Sequence, residues 1–136
     1  MKLPPNIKIY GDTKFRGKCP SESAEQMTFF NKLRREYPTS YGLVAVHIRN
    51  EGSRTPQETQ RHKAEGLTTG ASDIIIPGAP AFVCEMKRLD HTKCKISDEQ
   101  IAYLEAAAQG NSFACIALGW EAAWEAFEEW QNHQYY

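Results

Sequence analysis

The sequence predicts an α/β domain, with a central mixed β-sheet of about four strands flanked by helices. Three observations predict it. Apolar residues switch between helical spacing and short β-branched runs, in the order helix, strand, short helix, hairpin, helix, strand, helix. Serine, proline and glycine punctuate the chain where helices would start and stop. The 136 residues are one domain's worth of chain, long enough for a real core.

Residues 1–20 read as a basic lead. Lys2, Lys8, Lys14, Arg16 and Lys18 face only Asp12. Within it, Ile7-Lys8-Ile9-Tyr10 alternates as a short edge strand does, and the rest is expected to be partly flexible. Residues 21–130 are expected to form the folded domain and 131–136 a frayed tail.

The first helix is expected over 21–37. Ser23 with Gln26 fits a capping box, and Ser21 is the other candidate cap. Met27, Phe30 and Leu33 recur at helical spacing, Phe29 and Tyr37 widen the stripe, and Pro38 ends it. Glu22 and Glu25 lie in the first turn, where acids offset the helix dipole. A strand is expected over 41–48. His47 near its end suits either a buried, hydrogen-bonded position or a cleft. The polar cluster Arg49-Asn50-Glu51-Gly52-Ser53-Arg54 follows, and Arg54 is well suited to phosphate. Thr55 to Glu65 reads as a polar surface helix opened by Pro56 and closed by Gly66.

The stretch 70–87 carries the chemistry. Ile74-Ile75-Ile76 and Ala81-Phe82-Val83-Cys84, joined by Pro77-Gly78-Ala79-Pro80, predict a β-hairpin reaching Met86. Asp73 then stands at the mouth of the first strand. Glu85 and Lys87 share one face of the second, with Met86 pointing into the core. An antiparallel return brings Asp73 and Glu85 to the same end. Two carboxylates and an amine on rigid strands suit a hard divalent cation and a phosphate. The same spacing also describes a turn aspartate and a solvated Glu–Lys pair.

Ser97 with Gln100 caps the next helix, with Ile101, Leu104 and Ala108 expected to face inward and Gly110 to end it. Phe113 to Leu118 is the last strand. Trp120 to Trp130 is the last helix, packed through Ala123, Trp124, Phe127 and Trp130.

Net charge is -1, which by itself excludes no function, but local basic groups recur. Arg61, His62 and Lys63 form one, and Lys87, Arg88, His91, Lys93 and Lys95 another, as a nucleic-acid surface requires. The four cysteines lack zinc-knuckle spacing, and Cys84 and Cys115 read as buried thiols. With no signal peptide or membrane span in the sequence, the expectation is a reduced, cytoplasmic protein.

Taken in order, these motifs resemble the VRR-NUC group (virus-type replication-repair nucleases) of the restriction-endonuclease-like PD-(D/E)xK nucleases. The correspondence runs from Glu22 or Glu25 with Gln26, through Asn50-Glu51-Gly52 and Gly66, to Gly70-Ala71-Ser72-Asp73, Glu85-Met86-Lys87 and Ser97-Asp98-Glu99-Gln100. It spans about residues 21 to 119. Ser72 stands where the family often has proline, a position that binds no metal.

The resemblance implies a restriction-endonuclease-like core and a DNA endonuclease dependent on Mg²⁺ or Mn²⁺. Asp73, Glu85 and the Met86 backbone carbonyl would hold the ion, with Glu22 or Glu25 joining. Lys87 would orient water or offset charge, and Gln100 would position Lys87 or the phosphate. His47, Asn50, Arg54, Arg61, Lys63 and Arg88 are the candidate DNA contacts. Branched or four-way junction DNA, cut by a homodimer, is the expected substrate. The alternatives are a flap or nicking nuclease, a less selective nuclease, and a non-catalytic DNA-binding protein.

Overall fold

A computed structural model of the protein describes residues 1–48 and 55–134. The expected cluster at Arg49 to Arg54, and the tail tyrosines Tyr135 and Tyr136, lie outside the described residues.

Eight principal elements position the site: β1 (Lys8–Tyr10), α1 (Glu22–Glu36), β2 (Val46–His47), β3 (Ile74–Ile76), β4 (Phe82–Lys87), α4 (Asp98–Gln109), β5 (Phe113–Leu118) and α5 (Trp120–Gln131). Two short helices, α2 (Tyr41–Val44) and α3 (Pro56–Ala64), complete the set with a 3-10 turn at His91–Lys93. The sheet has five strands in the order β1-β5-β4-β3-β2. The pairs β1–β5 and β5–β4 are parallel, and β4–β3 and β3–β2 are antiparallel, so the sheet is mixed as expected.

The alternation of the strands splits the interior in two. Phe82, Cys84 and Met86 of β4 join Phe29, Leu33, Phe127 and Trp130 beneath α1 and α5. Val83 joins Ile116, Leu118 and Leu104 beneath α4. Aromatic edges interlock on the first side, as between Phe29 and Phe127 at 6.3 Å and 89°. Met86 is fully buried there, as its place on the strand predicts.

The structure corrects four local expectations. Ser21, not Ser23, caps α1 by accepting a hydrogen bond from the Ala24 N–H. Met27 does not face the core: it is 61% exposed, and Phe29, Phe30 and Leu33 are buried instead. In α4, Ala108 is exposed, while Tyr103 and Ala107 pack with the buried Leu104.

The expected strand over 41–48 is the fourth. Tyr41–Val44 forms a turn of helix, and only Val46 and His47 pair as strand. Gly42 explains the change. Its N–H bonds to the Tyr37 carbonyl, and a Cβ there would lie 2.6 Å from that oxygen. The chain therefore doubles back against the end of α1 before it can extend, and Leu43, Val44 and Val46 are left exposed.

The lead is tied to the loop after β4. Arg88 donates to the carbonyls of Pro20 and Cys19, Asp90 accepts from the Gly17 N–H, and Lys93 donates to the Gly17 carbonyl. At the other end of the chain, Gln134 bonds to Ala79 N–H and Pro80 O in the hairpin turn.

Candidate active site

The site is built at one end of the β3–β4 hairpin. Register pairs Ile74 with Cys84, which leaves Asp73 opposite the Glu85–Met86 step. The Met86 N–H donates to Asp73 Oδ2 at 2.9 Å, pinning that carboxylate. The Asp73 side chain also lies within hydrogen-bond reach of Glu85.

Glu85 and Lys87 project from the α4 side of β4, opposite Ile116 and Leu118 of the neighbouring strand. They are 1% and 3% exposed, so they are not a solvated surface pair. Lys87 Nζ stands 3.6 Å from Glu85 Oε1 and 4.0 Å from Glu22 Oε1, and donates to the Lys95 carbonyl at 2.6 Å.

Gln100 serves two structures at once. It completes the predicted capping box, accepting from the Ser97 N–H at 2.9 Å while its own N–H bonds to Ser97 Oγ. The same side chain donates through Nε2 to Glu85 Oε1 at 3.0 Å and approaches Lys87 Nζ at 3.5 Å. Gly70 sets the distance between the two segments. A Cβ there would meet the Glu99 carbonyl carbon at 2.5 Å, and its φ of +81° favours glycine.

Burial pushes the Glu85 carboxyl up to about 9, and the neighbouring Asp73 carboxylate pushes the same way, against the pull of Lys87. Glu85 Oε2 is buried with no hydrogen-bond donor. Asp73 presents another acceptor, so the two carboxyls bond to each other only by sharing a proton. A hard cation satisfies the same arrangement without one, and the orphaned oxygen is what such an ion's ligand looks like before binding. Among the described residues, no group of three or more His, Cys, Asp or Glu side chains is placed to hold a metal ion. The fit is therefore to two carboxylates supplemented by backbone oxygen and water.

The two first-turn glutamates of α1 separate. Glu22 reaches toward Lys87. Glu25 is buried and accepts from the Trp120 N–H at 2.5 Å. It caps α5, whose own cap residue, Gly119, has no side chain to do so.

Among the candidate DNA contacts, His47 is exposed on the edge strand and its Nδ1 lies 3.0 Å from the Asp73 carbonyl. Arg61 and Lys63 sit on α3, which buries no residue. Arg88 spends its guanidinium on the lead. Asn50 and Arg54 lie outside the described residues.

Sequence reasoning missed two members of this neighbourhood. The Lys95 carbonyl has no side-chain signal to read. Cys94 is buried beside Glu22: burial raises its thiol, the Arg88 N–H opposes, and Glu22 adds to the rise.

A solved structure described as a "VRR_NUC domain protein" matches the overall fold of this chain with a TM-score of 0.65, over 87% of this chain and 92% of that one. This chain has the VRR-NUC fold. At 17% identity the likeness speaks to fold alone. The sequence matches no protein-family profile and no curated protein. The VRR-NUC fold agrees with the mixed sheet flanked by helices described above. No helix among the described residues is long and apolar enough to cross a membrane.

Proposed function

We propose that the protein is a divalent-metal-dependent deoxyribonuclease that hydrolyses phosphodiester bonds in branched DNA, acting on four-way junctions as a homodimer. One observation carries the reading: a buried Glu85 carboxylate beside Asp73, with Lys87 and Gln100 both reaching its Oε1. Surface decoration would not be buried, and a purely structural ion pair would not leave Glu85 Oε2 without a partner.

Asp73, Glu85 and the Met86 carbonyl are the groups that would hold Mg²⁺ or Mn²⁺, with Glu22 nearer than Glu25 for a water-mediated contact. Such an ion, when bound, polarises a non-bridging phosphate oxygen and lowers the pKa of a bound water. Lys87 supplies a fixed positive charge where negative charge develops on the phosphate. Gln100 holds Lys87 and Glu85 in register, and its own orientation is fixed by Ser97. Arg61 and Lys63, with Asn50 and Arg54, would contact the DNA backbone, and His47 would flank the entering strand. Arg88 would add charge while ordering the lead. Affinity should then fall steeply with salt. A two-fold dimer would present two such sites for the two symmetry-related cuts of a junction.

The experiment is cleavage of labelled four-way junction, flap, nicked and plain duplex DNA with Mg²⁺, Mn²⁺ or EDTA, alongside Asp73→Ala. Paired, metal-dependent cuts in the junction, reduced at least about a hundredfold by the substitution, are expected. Cutting of flaps or duplex instead would keep the chemistry and discard the junction role. Binding without cleavage in either metal would make the protein a DNA-binding module.

A further inference from the structure

A groove of about 450 Å³ runs along α1 to the end of β2. Glu22, Gln26, Met27, Phe30, Arg34 and His47 are among its walls. Glu22 is also the residue 4.0 Å from Lys87, so the groove opens beside the candidate active site.

Its lining is neither a plain apolar slot nor a plain charged one. Arg34 holds its guanidinium over the Phe30 ring, 5.2 Å from the centroid. The His47 ring meets the same Phe30 edge-on at 6.4 Å. The result is a planar cation braced by an aromatic, with the exposed Met27 thioether lining the same groove. Gln26 also borders the groove.

We propose that this groove binds one unpaired nucleobase of the DNA strand being cut, which makes a branch or single-stranded flank part of the recognised substrate. The proposal rests on the nuclease reading above. A nucleobase is a flat, polarisable group with hydrogen-bonding edges. Its face suits a guanidinium plane and a thioether. The volume is within the range of small-molecule sites, roughly 300–1,000 Å³. The Arg34 charge complements the attached phosphate. A base stacked within continuous duplex cannot enter without being extruded, at a cost that an unpaired base does not bear. An apolar peptide side chain would leave the guanidinium unused.

Binding is read by fluorescence anisotropy on the full chain in EDTA, where no cutting occurs. The probes are a short labelled oligothymidine and a chain of equal length made of abasic residues. Wild type should favour the oligothymidine by about tenfold, the size of one stacked base. Met27→Glu and Arg34→Ala, both at exposed positions, should lose that preference. Arg35→Ala, exposed on the same helix but outside the groove lining, should keep it. Equal wild-type binding of the two probes overturns the proposal, as does a preference that survives both groove variants. Parallel cleavage with Mn²⁺ separates the two readings. Cutting of duplex and unpaired DNA alike, unchanged by Met27→Glu, retires the groove and keeps the nuclease. A base preference with no cutting of any DNA retires the nuclease and keeps the groove as a binding site.

Discussion

Alternate residues of β4 face two different interiors. Phe82, Cys84 and Met86 enter a core of interlocked aromatics under α1 and α5. Val83, Glu85 and Lys87 face α4, where an apolar patch gives way to a carboxylate and an ammonium almost fully out of water. The first side is explained by stability alone, since every group on it gains from burial. The second is not. A buried carboxyl with an orphaned oxygen costs free energy, and a pair of Met or Leu side chains would fill the space more cheaply. Under the proposed nuclease reading, the α4 end of the hairpin would be the working part of the sheet.

The largest effects should fall on opposite readouts for the two faces. Trp130→Ala empties the space of the bulkiest fully buried side chain. It should cost about 3–5 kcal/mol and lower Tm by roughly 10 °C or more, while the folded fraction keeps its activity. Lys87→Met should do the reverse. It conserves bulk, and Glu85, which holds its proton below about pH 9, is not left as a lone buried charge, so stability at neutral pH should move by about 1 kcal/mol or less. Activity should fall at least about a hundredfold. Thermal melts and single-turnover cleavage on both variants check this. A Lys87→Met protein that still cuts would remove the distinction between the faces.

That pairing also shows which parts were legible in the sequence. The hairpin, α4 with its capping box, β5 and α5 were readable because local spacing and local chemistry agree there. Asp73, Glu85 and Lys87 were readable for the same reason, since two-residue alternation and an antiparallel turn fix their common end. Where tertiary contact overrides local pattern, reading failed. The apolar run Leu43-Val44-Ala45-Val46 looks like a strand, yet close packing of Gly42 on Tyr37 coils its first half. Glu22 and Glu25 look equivalent in the first turn. Only the position of the α5 N-terminus, distant in sequence, tells them apart. The packing of Arg34 and His47 on Phe30 carries no motif.

The next test is the proton that the α4 side should hold. Glu85 is raised from its ordinary 4.5 to about 9, so the folded protein binds a proton more tightly than the unfolded chain. That contribution is full below 4.5 and is lost as pH rises through about 9. Tm in EDTA should therefore fall with rising pH across this window. Glu85→Gln, which mimics the protonated form, should flatten the slope. Added Mg²⁺ or Mn²⁺ should raise Tm most at the alkaline end, where the carboxylates are free to bind it. A wild-type slope no steeper than that of Glu85→Gln would mean that Asp73 and Glu85 are not held together.

The smallest effects should divide the two glutamates of α1. Glu25 accepts from the Trp120 N–H, so Glu25→Ala leaves a buried helix N-terminus without its acceptor. The expected cost is about 1–2 kcal/mol, with cleavage by the folded protein unchanged. Glu22→Gln keeps the size of a side chain that is only partly buried and removes its charge near Lys87. Stability should change by less than about 0.5 kcal/mol, while cleavage drops severalfold. Because both residues lie on the first turn of one helix, general damage to α1 would move the two variants together. Opposite signatures in melt and rate would locate the boundary between scaffold and site within a single turn, on the Glu22 side. If Glu25→Ala loses cleavage at full stability, the metal site extends toward α5 and the capping role is secondary.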